Sequence, residues 1–516
     1  MLAAFPIDAN ASADAPEEPM RPFVRIIRLG LALLGALQVA AAHAAAEPAD
    51  AQAIASRGLP PTVVACQACH GPAGEGNVAA GFPRLAGLGR DYLAEQLASF
   101  ASGARQSPVM QPIATALSAP QQAALADYYA KLAALPQHVA ISTDPAPSQA
   151  GAWLAARGRW SADIPACAQC HGAQGLGVGA SFPPLAGQPA SYLAAQLQAW
   201  KHGTRAPGPQ ALMARIAAKL SDEDVSALAD YYAGVTTAVT EHAATAPRAA
   251  ASGAFVPPSE TAMPDGEFGK VVRRGEQIFL HTKQNAGAYV GNTLDCGGCH
   301  LDAGRRAKSA PMWGAYVQYP AFRTKDGTVS TFAARIQGCF QYSMNGKAPP
   351  LGDPVLVALE SYAYWMAKGA PVGTKMEGAG YPKLPAPALP ADYQRGQHVY
   401  DSHCALCHGP QGQGQASAGQ PAFPPLWGAQ SFNWGAGMHQ VGNAAGFIKA
   451  NMPLSLGGSL SDQEAWDVAL FMDSHERPQD PRFVDSVDAT RKKFHDTPDS
   501  MYGRTVDGHV LGSGNP

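Results

Sequence analysis

Apolar and polar positions along this chain recur with the period of helices rather than strands. Tyr92, Leu93, Gln96 and Leu97 fall at i, i+1, i+4 and i+5, one face of a helix. Tyr192, Leu193, Gln196 and Leu197 repeat that face 100 residues later. Ser221 with Asp224 and Ser461 with Glu464 read as capping boxes that open a final helix, and Asp353-Pro354 offers an N-cap followed by Pro at the first helical position. No segment sustains period-two alternation, so few strands and a mainly α fold are expected.

The same pattern divides the chain. CQACHG, GFPRLAG, YLAEQLASF, Met110 and LADYYA in residues 66–130 return as CAQCHG, SFPPLAG, YLAAQLQAW, Met213 and LADYYA in 167–233. An offset of 100 to 103 residues marks a duplicated domain rather than a solenoid. Residues 236–262, rich in Ala, Pro, Thr and Ser, read as a linker, and a Pro-rich linker follows at 376–391. Beyond Arg477 the chain turns polar, which predicts a tail at 481–516 that wraps the surface or moves freely. At the other end, Arg21, Arg25 and Arg28 precede the apolar run 29–41 and a small-residue string, Ala42 to Ala46. This is the layout of a secretory signal peptide over 1–46, too short to span a bilayer, and it predicts export to the periplasm.

Composition excludes some function classes. The 516 residues carry 37 Lys and Arg against 40 Asp and Glu, a net charge of -3, which does not suit a nucleic-acid binder. Eight of the nine Cys fall in four C-x-x-C-H strings: Cys66/Cys69/His70, Cys167/Cys170/His171, Cys296/Cys299/His300 and Cys404/Cys407/His408. Each string supplies two thiols for thioether links and one axial His, so the pattern reads as four covalently attached haems c rather than a disulfide framework. The expected architecture is four class I cytochrome c-like domains in tandem, at 47–140, 141–235, 263–375 and 392–480, each with one covalently bound haem c.

The second axial ligand decides what each iron does: a Met thioether suits electron transfer, a thiolate stabilises ferric iron, and an open site binds substrate. Met110 lies 40 residues after His70, Met213 lies 42 after His171 and Met452 lies 44 after His408, each eight or nine residues ahead of a final helix. That regularity makes these three the expected ligands, against the alternative of core methionines filling gaps. For Met452 the neighbours Met438 and His439 are rivals. In the third unit, Met344 at 44 residues fits the spacing slightly better than Cys339 at 39. Against that, a ninth thiol in an oxidising compartment needs a reason to persist, and coordination to iron would supply one.

Uncommon strings then carry a resemblance. YVGNTLDCGGCHLDAG, APMWGAYVQYPAF and RIQGCFQYSMNGK, followed by CALCHGPQGQG, AFPPLWG, SFNWGAGM and NMP, resemble the dihaem thiosulfate dehydrogenases, whose first domain is related to SoxA-type cytochromes. The likeness covers about residues 263–480, and the first half resembles dihaem cytochromes of the c-four type, the acceptor associated with that enzyme. The whole looks like a fusion of acceptor and enzyme. The resemblance implies that Cys339 is the distal ligand of the active-site haem, and that two thiosulfates are oxidised to tetrathionate with release of two electrons, reversibly in some members. Some members carry a Lys beside the Met ligand of the second haem. Here Asn451 is the neighbour and Lys449 is three residues away, so plain His408/Met452 ligation is expected.

Thiosulfate is a dianion, and two of them meet only where positive charge gathers. Between Cys296 and Pro350 stand seven basic residues (Arg305, Arg306, Lys308, Arg323, Lys325, Arg335, Lys347) and two acidic ones (Asp302, Asp326). Arg335, four before Cys339, is the first candidate for a substrate clamp, followed by Arg323 and Lys347. The expected chemistry has the Cys339 sulfur leave the iron, accept the sulfane sulfur of one thiosulfate and be relieved of it by the second. Electrons would then pass from the His300 haem to the His408 haem, on to the two N-terminal haems, and out to a soluble or membrane-bound acceptor. Two rivals are a purely electron-carrying cytochrome with Met344 as ligand, and a SoxA-like cytochrome that conjugates sulfur to a carrier-protein cysteine.

Overall fold

The computed structural model describes residues 50–133, 145–146, 148–234, 255–323, 327–417 and 420–514. The expected signal peptide, most of the first linker and Lys325 lie outside these residues. The chain is mainly helical, and the strands among the described residues form three two-stranded antiparallel hairpins. No described helix is long and apolar enough to cross a membrane.

The same plan is built four times around the four Cys pairs. An early helix packs against a late one: Ala51–Arg57 on Ala119–Lys131, Ala150–Arg157 on Asp222–Ala233, Gly266–Leu280 on Pro354–Met366, and Tyr393–His403 on Asp462–Asp473. Three of these crossings depend on glycine. A Cβ at Gly151 would stand 2.0 Å from the Ala227 carbonyl oxygen, at Gly275 2.1 Å from that of Ala358, and at Gly396 2.1 Å from that of Asp467. Backbone meets backbone there, which no larger residue permits. The late helices start where polar side chains satisfy their free N–H groups: capping boxes at Ser118/Gln121, Ser221/Asp224 and Ser461/Glu464, and Asp353 ahead of Pro354.

Each helix pair anchors its own apolar cluster, around Leu93 and Leu125, Leu154 and Leu228, Phe279 and Leu359, and Val468 and Phe471. Residues 478–514, expected to wrap the surface or move freely, run along the surface with about half of their positions exposed, and a few buried side chains anchor them. Tyr502 and Leu511 close over Trp434, and His495 and Asp480 are buried.

Polar contacts tie the units together. Units 1 and 2 share a two-fold-like knot in which Arg105 donates to Gln96, Gln196 and Tyr192 while Arg205 donates to Gln196, Gln96 and Tyr92. Unit 2 meets unit 3 through Arg157 and Glu276 at 3.1 Å and Asp163 and Arg306 at 2.9 Å. Units 3 and 4 are stitched by Asn292, which donates to the Ser343 and Ser431 carbonyls, and by Asn451, which donates to that of Lys308.

Candidate functional site

All four C-x-x-C-H histidines are held alike. Nδ1 lies 2.9 Å from the Pro83 carbonyl oxygen in His70, 2.8 Å from Pro183 in His171, 2.7 Å from Ala310 in His300 and 2.9 Å from Pro424 in His408. Bonding to a carbonyl fixes the proton on Nδ1 and leaves Nε2 as a lone-pair donor, the second-shell arrangement a metal-ligating imidazole needs. Burial also disfavours the charged ring, and pushes His300 down to about 4. The eight paired thiols are free of disulfides. Burial raises Cys296, Cys404 and Cys407 to about 12, so these sulfurs are neutral thiols in apolar surroundings. One continuous, largely apolar cavity holds His171 with Met213 and His408 with Met452, and reaches Cys299. Neutral imidazole, paired thiols at its edge and apolar walls together fit haem c.

The ninth thiol sits at a change of helix type. Thr331 caps the helix Phe332–Gly338 by accepting from the Ala334 N–H, and the chain then widens into a π-turn, Cys339–Ser343. Such turns leave backbone groups and side chains reoriented, and they favour functional sites. The helical spacing brings Arg335 onto Cys339, with Nη1 donating to Sγ at 3.0 Å. The Cys339 sulfur is close enough to raise both Cys296 and Cys299 further, and Arg335 helps lower His300. Thiol, guanidinium and the third C-x-x-C-H string thus form one cluster.

Tyr381 joins this cluster although nothing in its sequence context marks it. It comes from the Pro-rich 376–391 stretch, packs on Phe447 at 5.5 Å between ring centres, and its phenol is pushed up by burial and by Cys299 and Cys339, with Arg335 opposing. Only the fold brings a linker residue here.

The other expected residues fall as follows. Met344 is buried in the apolar cluster of unit 3, with its backbone N–H on the Cys339 carbonyl. Met438 and Met452 both line the cavity beside His408. His439 is taken up elsewhere: Nδ1 contacts the Ala436 carbonyl, and Nε2 lies 3.1 Å from His495, whose own Nε2 is 2.9 Å from Asp480. Lys449 donates to the Leu460 carbonyl and pairs with Asp462 at 3.1 Å. Arg323 stands in the hairpin strand Ala321–Arg323 opposite Thr328, and Lys347 is exposed on a later loop. Arg305 and Arg306 bind the Pro258 carbonyl and Asp163, so part of the positive excess is spent on holding units together.

Three family models match this chain: cytochrome c over residues 155–235, the SoxA/TsdA cytochrome c domain over 275–372, and cytochrome C oxidase, cbb3-type, subunit III over 391–472. A thiosulfate dehydrogenase of Thiomonas intermedia is 60% identical over 258 residues, 50% of this chain and 82% of its own length. A thiosulfate dehydrogenase electron acceptor of Stutzerimonas stutzeri is 50% identical over 191 residues, 37% of this chain and 88% of its own. The solved structure of thiosulfate dehydrogenase (TsdBA) from Marichromatium purpuratum, as isolated, covers 90% of this chain and 99% of its own at 48% identity, with a TM-score of 0.83.

Proposed function

This chain belongs to the thiosulfate dehydrogenase family, with an enzyme half joined behind a cytochrome c4-type acceptor half, and from that premise we propose how its residues do the work. The four units are four class I cytochrome c-like domains, each holding one covalent haem c on its Cys pair. The ligand pairs are His70/Met110, His171/Met213, His300/Cys339 and His408/Met452. What supports this is the common Nδ1 anchoring of the histidines and the place of Met213 and Met452 on the cavity wall. The engagement of Lys449 with Leu460 and Asp462 favours Met452 without a Lys rival. Haem bound there supplies one-electron acceptors.

Oxidation takes place at Cys339. Its sulfur forms a bond to the sulfane sulfur of one thiosulfate, and the two electrons given up in making that S–S bond leave toward the acceptors. A second thiosulfate attacks the bound sulfane sulfur; the new S–S bond gives tetrathionate, and Cys339 departs as thiolate. Two thiosulfate dianions thus become one tetrathionate dianion and two electrons, with no proton consumed. Arg335 is positioned to hold the Cys339 sulfur as an anion and to offset the charge of the incoming dianion. Arg323 and Lys347 are the further candidates for drawing substrate in. The single observation that carries this reading is the Arg335 Nη1 to Cys339 Sγ contact at 3.0 Å beside the third Cys pair.

Electrons leave through unit 4, then unit 2, then unit 1. A Cβ built on Gly298 would stand 4.0 Å from the Pro424 ring, and Cys407 lies close enough to Cys170 to raise its thiol. The periplasm, to which the signal-peptide layout of residues 1–46 points, is the proposed compartment, with a separate electron carrier as partner. Replacing Cys339→Gly tests the reading. Four haems should bind as before, and thiosulfate-dependent reduction of ferricyanide should disappear. Undiminished tetrathionate formation by that variant would overturn it.

A further inference from the structure

Unit 2 and unit 1 share one fold, yet the same face is covered in one and open in the other. In unit 2, Val178 and Phe182 are buried against Phe423 of unit 4, with Leu212 and Cys170 packed beside them and Leu406 and Cys407 opposite. The Phe182 and Phe423 rings lie 5.2 Å apart, and Ser417 donates to the Gly177 carbonyl at 2.5 Å. Unit 4 also presses so closely that a Cβ at Gly172 would stand 2.2 Å from the Ser417 hydroxyl, and one at Gly179 2.4 Å from the Gln415 amide oxygen. This covering surface carries no charged side chain among Leu406, Cys407, Gln415, Ser417, Ala422 and Phe423.

The internal repeat maps that face onto unit 1 as Cys69, Gly71, Gly76, Asn77, Phe82 and Val109. The turns agree, since Asn77 bridges Phe82 as Val178 bridges Phe182. Among the described residues this face stands open around Asn77, Val78 and Val109. Val78 in that turn is 69% exposed and Val109 is 52% exposed, while Asn77 lies open beside them. The hydrogen bonds that leave unit 1 run through Arg84, Tyr92, Arg105 and Gln106 to unit 2, which borders the turn at its Gly81 end, where a Cβ would stand 2.9 Å from the Ser191 hydroxyl. One replacement makes the open copy more polar at the position that is most deeply covered in unit 2, Asn77 where unit 2 has Val178, 1% exposed. A more polar face suits contacts that form and break, whereas the permanent contact is apolar.

We infer that the unit 1 face around Asn77, Val78 and Val109 is the docking surface for a separate c-type cytochrome, which seats its uncharged haem-attachment edge there as unit 4 seats its own on unit 2. This rests on the reading of units 1 and 2 as the acceptor half. A second copy of the chain is a poor occupant, because the same reaction fills it with electrons and it cannot drain them.

The test uses the full-length holoprotein with Val78→Lys and Val78→Glu, and the same changes at Val372, 80% exposed in unit 3, as controls. The probe is a soluble monohaem class I cytochrome c with an uncharged, apolar haem edge. Stopped-flow mixing gives the second-order rate at which the thiosulfate-reduced protein reduces it. Both Val78 variants should lower that rate about ten-fold or more, since either sign of charge must be desolvated in the contact. The Val372 variants should not lower it, and the native rate should change less than about two-fold with salt because no charge pair steers the encounter. Native rates in either Val78 variant, equal losses in the controls, or a dimer in light scattering that Val78→Lys disperses would each overturn the proposal. Turnover with ferricyanide reports on the Cys339 chemistry separately: if the native protein fails to reduce ferricyanide with thiosulfate, the proposed function fails, and not the docking surface.

Discussion

Removing the Arg335 guanidinium is the sharpest probe of the reaction centre. Arg335→Gln keeps a polar side chain of similar reach but takes away the charge held 3.0 Å from the Cys339 sulfur. A hydrogen bond to a charged group contributes about 1.5–3 kcal/mol. At about 1.4 kcal/mol per factor of ten, its loss in the transition state lowers kcat/KM by roughly 10- to 150-fold. Coulomb attraction at that distance with an effective dielectric near 20 sets a ceiling of about 5–6 kcal/mol. Initial rates of thiosulfate-dependent ferricyanide reduction give kcat and KM separately, and the haem spectrum shows that loading is intact. A fall in kcat at constant KM means that Arg335 serves the sulfur nucleophile, whereas a rise in KM means that it holds the dianion. Arg335→Lys should recover part of the rate, because the charge returns without the planar fork. A fully loaded Arg335→Gln protein within two-fold of native kcat/KM would refute the role given to this side chain.

Two further outcomes concern stability. Burial alone would raise the Asp480 carboxyl, but hydrogen bonds from His495 and Arg482 outweigh it and hold the group well below the usual carboxylate range. A folded pKa below the unfolded value near 4 stabilises the protein above about pH 4, and that stabilisation is lost as pH falls toward the folded value. Asp480→Asn should therefore cost about 3 kcal/mol at pH 7, and calorimetry should show the gap to native narrowing below pH 4; a gap independent of pH would contradict the sign worked here. Gly275→Ala forces a Cβ to within 2.1 Å of the Ala358 carbonyl oxygen and should lower the melting temperature through about 1–3 kcal/mol of strain. Gly287→Ala, with nothing within 4 Å and no positive φ, should be silent by the same measurement.

What could be read from the sequence follows from how local each signal is. Capping boxes at Ser221 and Ser461, the N-cap at Asp353 and the shared helical faces of Tyr92 and Tyr192 are written within four or five residues, and the helices begin and face as they imply. The i, i+4 relation of Arg335 to Cys339 was legible for the same reason. Tyr381 was not, because the chain returns it to Cys339 from a stretch whose Pro-rich composition says only that it is no helix. Nor were the contacts of the last segment: composition shows residues 478–514 as polar, but His495 bonds to Asp480 and to His439, 56 positions away, and stacks on Tyr502. Spacing also ranked Met344 ahead of Cys339, since counting residues does not show that one side chain turns into the apolar cluster while the other meets Arg335.

The hydrogen bond from Ser417 to Gly177 and the Phe182–Phe423 packing have a consequence for molecularity. Between two separate proteins, each electron handed over requires a collision, and its rate falls with dilution. Here the acceptor is tethered and already seated, at an effective concentration in the millimolar range or above. The internal transfer is first order and indifferent to how much protein is present, and enzyme and first acceptor are made in a fixed one-to-one ratio. Dilution then slows only the meetings with separate molecules, the arrival of thiosulfate and the departure of electrons to an outside carrier.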